Sequence, residues 1–103
     1  MSKNSNVKTM LPAAVERHLT LLGEHIRIAR KRRKQSLQLW SERMQISIPT
    51  LRKLEAGDPS VSVAAYATAL WLIGRVEALS EIADPAKDSL ALALELKSIR
   101  KDK

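Results

Sequence analysis

The chain has 103 residues, no cysteine, three aromatic residues and a formal net charge of +7. That length allows one domain with a modest, aliphatic core, and the missing thiols exclude disulfide frameworks, thiolate zinc sites and cysteine nucleophiles. No apolar run approaches the roughly 18 residues of a membrane span, and no apolar stretch follows Lys3 and Lys8 as it would in a secretory signal, so a cytoplasmic protein is expected.

Met1–Met10 is rich in Ser, Asn and Lys and lacks periodicity, which reads as a flexible arm over 1–11. Pro12 opens a helical stretch running to Arg33, as one helix or two. Val15, Leu19, Leu22, Ile26 and Ala29 recur there at spacings of three and four and form a core stripe. Gly23 interrupts the run at a cost of about 1 kcal/mol against Ala, and so signals a bend or a close helix contact. Arg30–Lys34 is five consecutive cations at a helix end, favoured there by the helix dipole. Arg30 lies one turn beyond Ile26 and points inward, where it needs a partner. Glu55, beside core Leu54, is the candidate for a structural salt bridge.

Ser36–Gly57 holds two short amphipathic segments joined by a four-residue turn. Ser36 can cap the first segment, in which Leu37, Trp40 and Met44 share a face. Ser47 can cap the second. Pro49 is tolerated in a first turn, whose N–H groups have no intrahelical acceptor. Leu51 and Leu54 point inward, while Thr50, Arg52 and Lys53 point out. Gly57 stops the helix, and Asp58-Pro59 reinforces the break. Two capped helices with a basic exterior form a helix-turn-helix able to offer the second helix to a DNA groove.

A loop follows over 58–62. Val63–Ile73 is expected as a fourth helix with Val63, Tyr66, Ala67, Leu70 and Ile73 on its core face, ended by Gly74. Arg75–Ala83 is expected as a fifth, anchored by Val76, Leu79 and Ile82. After the break at Asp84-Pro85, Asp88 or Ser89 can cap a last segment whose Leu/Ala alternation suits helix or strand. Ala and Leu favour helix. The predicted class is all-α: a compact five-helix domain over 12–83, a C-terminal extension over 84–103 for dimer or partner contact, and a basic tail.

Charge is unevenly distributed. Arg17–Lys53 carries +8 and Leu54–Leu96 carries −5. A basic first half is the footprint of a phosphate-binding surface, and the acidic second half suits a protein partner. Catalysis is not expected. His18 and His25 are too far apart along a helix for one metal ion, and the pairs Glu77/Glu81 and Asp84/Asp88 lack a third ligand. No Gly-rich phosphate loop or nucleophile elbow is present, and no cofactor is expected.

Ser36–Gly57 resembles the helix-turn-helix of the phage-repressor-like (Xre, or Cro/C1-type) regulators. Ser36 stands at the family's helix 2 cap, Ser41 at its small buried residue, Ile46 after the turn, Ser47 at the start of the recognition helix, and Leu54-Glu55-Ala56-Gly57 at the closing pattern. Arg30 falls on the family's helix 1 arginine, which pairs with that glutamate. Gln45 replaces the usual turn glycine, Lys34-Gln35 replaces a Gly-apolar pair, and Ile48-Pro49 puts apolar groups where base-reading polar residues often sit. The segment from Gly57 to Leu96 looks like small HipB-like antitoxins of HipA-type kinase toxins.

These resemblances imply a lambda-repressor-like fold and a homodimeric, sequence-specific repressor of its own operon. They also imply binding to a HipA-like toxin, and an expected location in the bacterial cytoplasm at the nucleoid. The residues expected at double-stranded operator DNA are Arg33, Lys34, Ser36, Gln38, Ser47, Ile48, Pro49, Thr50, Arg52 and Lys53. Ile48 and Pro49 are suited to thymine methyls, and Ser36, Gln38, Lys34 and Arg33 to the backbone. A stand-alone regulator without a toxin, or a pure protein-interaction module, are the alternative readings.

Overall fold

The computed structural model describes residues 10–101 of the chain. Most of the expected N-terminal arm, and the last two residues of the basic tail, lie outside the described residues. The described chain is helical throughout, with no strand among these residues. Helices α1 (Ala13–Arg32), α2 (Leu37–Met44), α3 (Ile48–Glu55) and α4 (Val63–Leu72) are followed by two 3₁₀ turns, Val76–Glu81 and Pro85–Lys87, and by α5 (Ser89–Lys101). No helix among these residues is long and apolar enough to cross a membrane.

Local chemistry starts each of the later helices. Ser36, Ser47 and Ser62 each accept the backbone N–H three residues on, at 3.0, 3.1 and 3.1 Å. Asp88 rather than Ser89 caps α5, accepting from Ala91 N–H at 3.0 Å. Each such cap stabilises its helix by about 1 kcal/mol.

The first four helices also end alike. A residue with positive φ sends its N–H back three positions, and its successor sends its N–H back five, which satisfies two terminal carbonyls. In α3 these bonds are Gly57 N to Leu54 O and Asp58 N to Lys53 O; in α1 they are Lys34 N to Lys31 O and Gln35 N to Arg30 O. Glycine serves at 57 and 74, but Lys34 (φ 54°) and Gln45 (φ 57°) adopt the same conformation with a side chain. That costs roughly 1 kcal/mol at each of the two, one before and one after α2.

The core is built from Ile26 of α1, Trp40 and Met44 of α2, Leu51 and Leu54 of α3, and Tyr66 and Ala69 of α4. Each large side chain fully withdrawn from water contributes roughly 1.5–3 kcal/mol. The Trp40 indole N–H donates to Gln35 Oε1 at 2.7 Å. Gln35 therefore gives the buried tryptophan its polar partner. Tyr66 O–H donates to the Asp58 carbonyl at 2.8 Å and ties α4 to the end of α3.

α1 is a single helix, and Gly23 marks a close contact. A methyl group there would lie 2.5 Å from Gly57 N and 2.6 Å from Leu54 O. The chain leaving α3 presses directly on the α1 backbone.

Four expectations are corrected. Val15 and Val63 are exposed, because the first turns of α1 and α4 lie outside the core formed by the described residues. The core face of α4 instead begins at Tyr66 and includes Ala69. The expected fifth helix, 75–83, is a short 3₁₀ segment with Ile82 left 75 % exposed. Only Val76 and Leu79 find partial cover there, too few contacts to hold full α-helical turns. The connection between α2 and α3 is three residues, Gln45–Ser47, rather than four.

The Gly23 contact predicts the sign of a substitution. Ala gains about 1 kcal/mol of helix propensity, but its methyl must push the α3 terminus away. Gly23→Ala is therefore expected to destabilise the protein by about 2 kcal/mol in chemical denaturation; a stabilised variant would mean that α1 and α3 do not touch here.

Tyr66 predicts a pH effect. Burial first, and the Asp58 charge second, push its hydroxyl from 10.0 up to about 12. Above pH 10 the unfolded chain releases this proton while the folded chain keeps it, so stability falls as pH rises through that window. The expected loss is on the order of 2 kcal/mol between pH 10 and 12. Comparing wild type with Tyr66→Phe isolates this contribution; identical profiles would refute it.

Candidate nucleic-acid interface

The second helix of the α2–α3 pair, α3, has two chemically distinct sides. Leu51, Leu54 and Glu55 are buried. Pro49, Arg52, Lys53 and Ala56 fall on the opposite arc at 100° per residue, and all four are exposed. The one carboxylate of the helix is thus withdrawn from its outer face.

What withdraws it is Arg30 of α1. Arg30 Nε donates to Glu55 Oε2 at 2.7 Å and Nη2 donates to Oε1 at 3.0 Å. The third guanidinium nitrogen, Nη1, donates to the Gln35 carbonyl at 2.9 Å. Both side chains are more than nine-tenths buried. Charges taken from water are tolerable only in such paired, fully hydrogen-bonded geometry.

The N-terminal end of α3 is locally organised. Ser47 Oγ accepts Thr50 N–H and also donates to Thr50 Oγ1 at 2.9 Å. The Thr50 hydroxyl keeps its own hydrogen to donate outward. Ile48 is half-buried and Pro49 exposed, so this end presents an apolar edge beside a hydroxyl. At the start of α2, Ser36 is exposed as a cap, and exposed Gln38 makes a long 3.4 Å contact with Glu42.

The expected residues do not all lie together. Ser47, Ile48, Pro49, Thr50, Arg52 and Lys53 share one short helix and its cap. Lys34, Ser36 and Gln38 lie at the entry to α2, with Lys34 exposed. Arg33 is turned away from them. Its guanidinium donates to Ala29 O at 2.9 Å and reaches Ile73 O at 3.4 Å, between the ends of α1 and α4.

Two cations outside the expected set join the surface instead. Arg27 and Lys31 line a cleft of about 410 Å³ with Arg52 and Ala56. They sit at i and i+4 on α1, flanking buried Arg30, and that spacing is the signal that could have found them. A second cleft of about 500 Å³ sets Arg52 and Lys53 beside Glu16 and Asp58, so two carboxylates border the basic face on one side. Cations flanking an acid-free helix face can neutralise phosphate oxygens, while a hydroxyl and a small apolar edge can meet base edges.

The other titratable clusters have structural roles. Asp84 and Asp88 accept backbone N–H groups at turn and helix starts. Glu81 pairs with Lys87 at 2.9 Å on the open surface, a contact of little energetic weight. Both histidines are exposed, and no three His, Asp or Glu side chains among the described residues converge as metal ligands.

Removing one half of the buried pair strands the other. Glu55→Ala is expected to lower unfolding free energy by about 3 kcal/mol; a melting temperature equal to wild type would show that the pair does not hold α3. Compared with known proteins, the chain matches no family profile, no curated protein and no solved structure.

Proposed function

We propose that this chain is a helix-turn-helix DNA-binding repressor that inserts α3 into the major groove and acts without catalysis or cofactor. The observation that carries this reading is the outer face of α3. It is exposed, cationic through Arg52 and Lys53, and free of acid because Glu55 is held inside by Arg30. The three-residue connection between serine-capped α2 and α3 supports this reading, because helix-turn-helix motifs use turns of three to four residues.

Arg52 and Lys53 supply phosphate or guanine contacts, Thr50 a hydrogen bond, and Ile48-Pro49 apolar contact with thymine methyls. Lys34, Ser36 and Gln38 set register from the backbone, joined by Arg27 and Lys31 across the cleft to Arg52. A two-fold dimer places two α3 helices about 34 Å apart on a pseudo-palindrome. The antitoxin role, with a HipA-type kinase as partner and autoregulation of a shared operon in the cytoplasm, rests on the resemblance over Gly57–Leu96. Co-purification with the neighbouring gene product tests it.

The DNA reading is tested with duplex from upstream of the chain's own coding sequence. The full chain is expected to retard it at low salt and to lose affinity steeply as salt rises, because neutralised phosphates release counterions. Arg52→Ala with Lys53→Ala is expected to abolish specific retardation and leave the melting temperature within a few degrees of wild type. Retained affinity in that folded double variant would remove α3 from the groove.

A further inference from the structure

Among the described residues, the large apolar side chains of the C-terminal helix α5 are left open to solvent. Leu90, Leu92, Leu94, Leu96 and Ile99 are between 47 % and 70 % exposed. At 100° per residue, Leu92, Leu96 and Ile99 form one stripe within about 60° of arc, and Leu90 and Leu94 form a second on the opposite side. A helix that is apolar on two sides belongs inside an assembly. Its 13 residues are also marginal for a helix standing alone in water.

Elsewhere the same chain carries an apolar groove of about 730 Å³ between α1, α4 and the first 3₁₀ turn. Its floor includes Leu22, Ile28, Leu70, Ile73, Leu79 and Ile82. His25, Arg32, Arg33 and Arg75 also line it, and no carboxylate does. Ile82 and Ile28 remain 75 % and 39 % exposed there. On α5, the Leu92–Leu96–Ile99 stripe is bordered on one edge by Glu95, with Asp88 at the cap, and on the other edge by Arg100, whereas the opposite stripe is flanked by Lys97.

We propose that the Leu92–Leu96–Ile99 stripe of α5 docks in this groove on a second copy of the chain, and that the exchange is reciprocal. Apolar stripe meets apolar floor, and Glu95 comes to the arginine rim. The Leu90–Leu94 stripe then faces its symmetry mate across the two-fold axis. The proposal deepens the dimer invoked above by naming its contact, and it rests on that reading.

Sedimentation equilibrium of the full chain at micromolar concentration is expected to give twice the 11.5 kDa chain mass. Leu96→Asp is expected to give a monomer that keeps its helical signal and its buried Trp40 fluorescence. Glu95→Arg is expected to weaken association at least tenfold, and adding Arg75→Glu is expected to restore it. Because the chain has no cysteine, mixing an Ile82→Cys variant with a Leu96→Cys variant under oxidising conditions should give a disulfide-linked heterodimer. A monomeric wild type, a dimer that survives Leu96→Asp, or a mixture that forms no heterodimer overturns the proposal. A dimer that passes these tests but retards no DNA refutes the groove-binding reading and leaves the exchange standing.

Discussion

The structure depends on the buried ion pair between Arg30 and Glu55. Its desolvation is costly, and an apolar pair of the same volume would serve stability as well or better. An apolar pair is non-directional, however, and this one is not. The two-pronged contact fixes the rotation of α3 about its own axis, and the third bond, to the Gln35 carbonyl, fixes the chain entering α2. The Gly23–Gly57 contact adds a second point seven residues away on α1, about 10 Å along its axis. Two points on one helix determine how α3 lies across it.

The outer surface follows from that constraint. With Glu55 turned inward, the exposed arc of α3 carries Arg52 and Lys53 unopposed within the helix, and Arg27 and Lys31 extend the positive surface along α1. The left-handed residues Lys34 and Gln45 bracket α2 and set its length at two turns. Each costs roughly 1 kcal/mol that glycine would avoid. The core, centred on Trp40, and the serine caps offset this, so the strain sits at the proposed DNA-facing motif rather than being spread through the fold.

What can be read from sequence divides along physical lines. The Ser36 and Ser47 caps, the stop at Gly57 and the inward set Leu51 and Leu54 depend on interactions within a few residues, and periodicity and turn chemistry expose them. The meeting of Arg30 with Glu55 is legible because each charge sits beside a core position and so needs a partner. The contact of Arg33 with the Ile73 carbonyl spans forty residues and leaves no local trace in the sequence. Gln35 reads as a lost core contact, whereas in the fold it supplies the acceptor that the buried Trp40 indole needs. Val63 and the Arg75–Ala83 stretch carry helical periodicity, but whether a neighbour covers them is a tertiary fact. The same holds for α5, whose leucines look like core and lie in the open in a single copy.

The placement of α3 requires Arg30 and Glu55 to act as a coupled unit. A double-mutant cycle with Arg30→Met and Glu55→Met, read by chemical denaturation, measures that coupling directly. The expected interaction energy is about 2 kcal/mol or more, with the double variant more stable than either single one, because neither charge is then left buried alone. Additive effects, with an interaction energy within about 0.5 kcal/mol of zero, would contradict it.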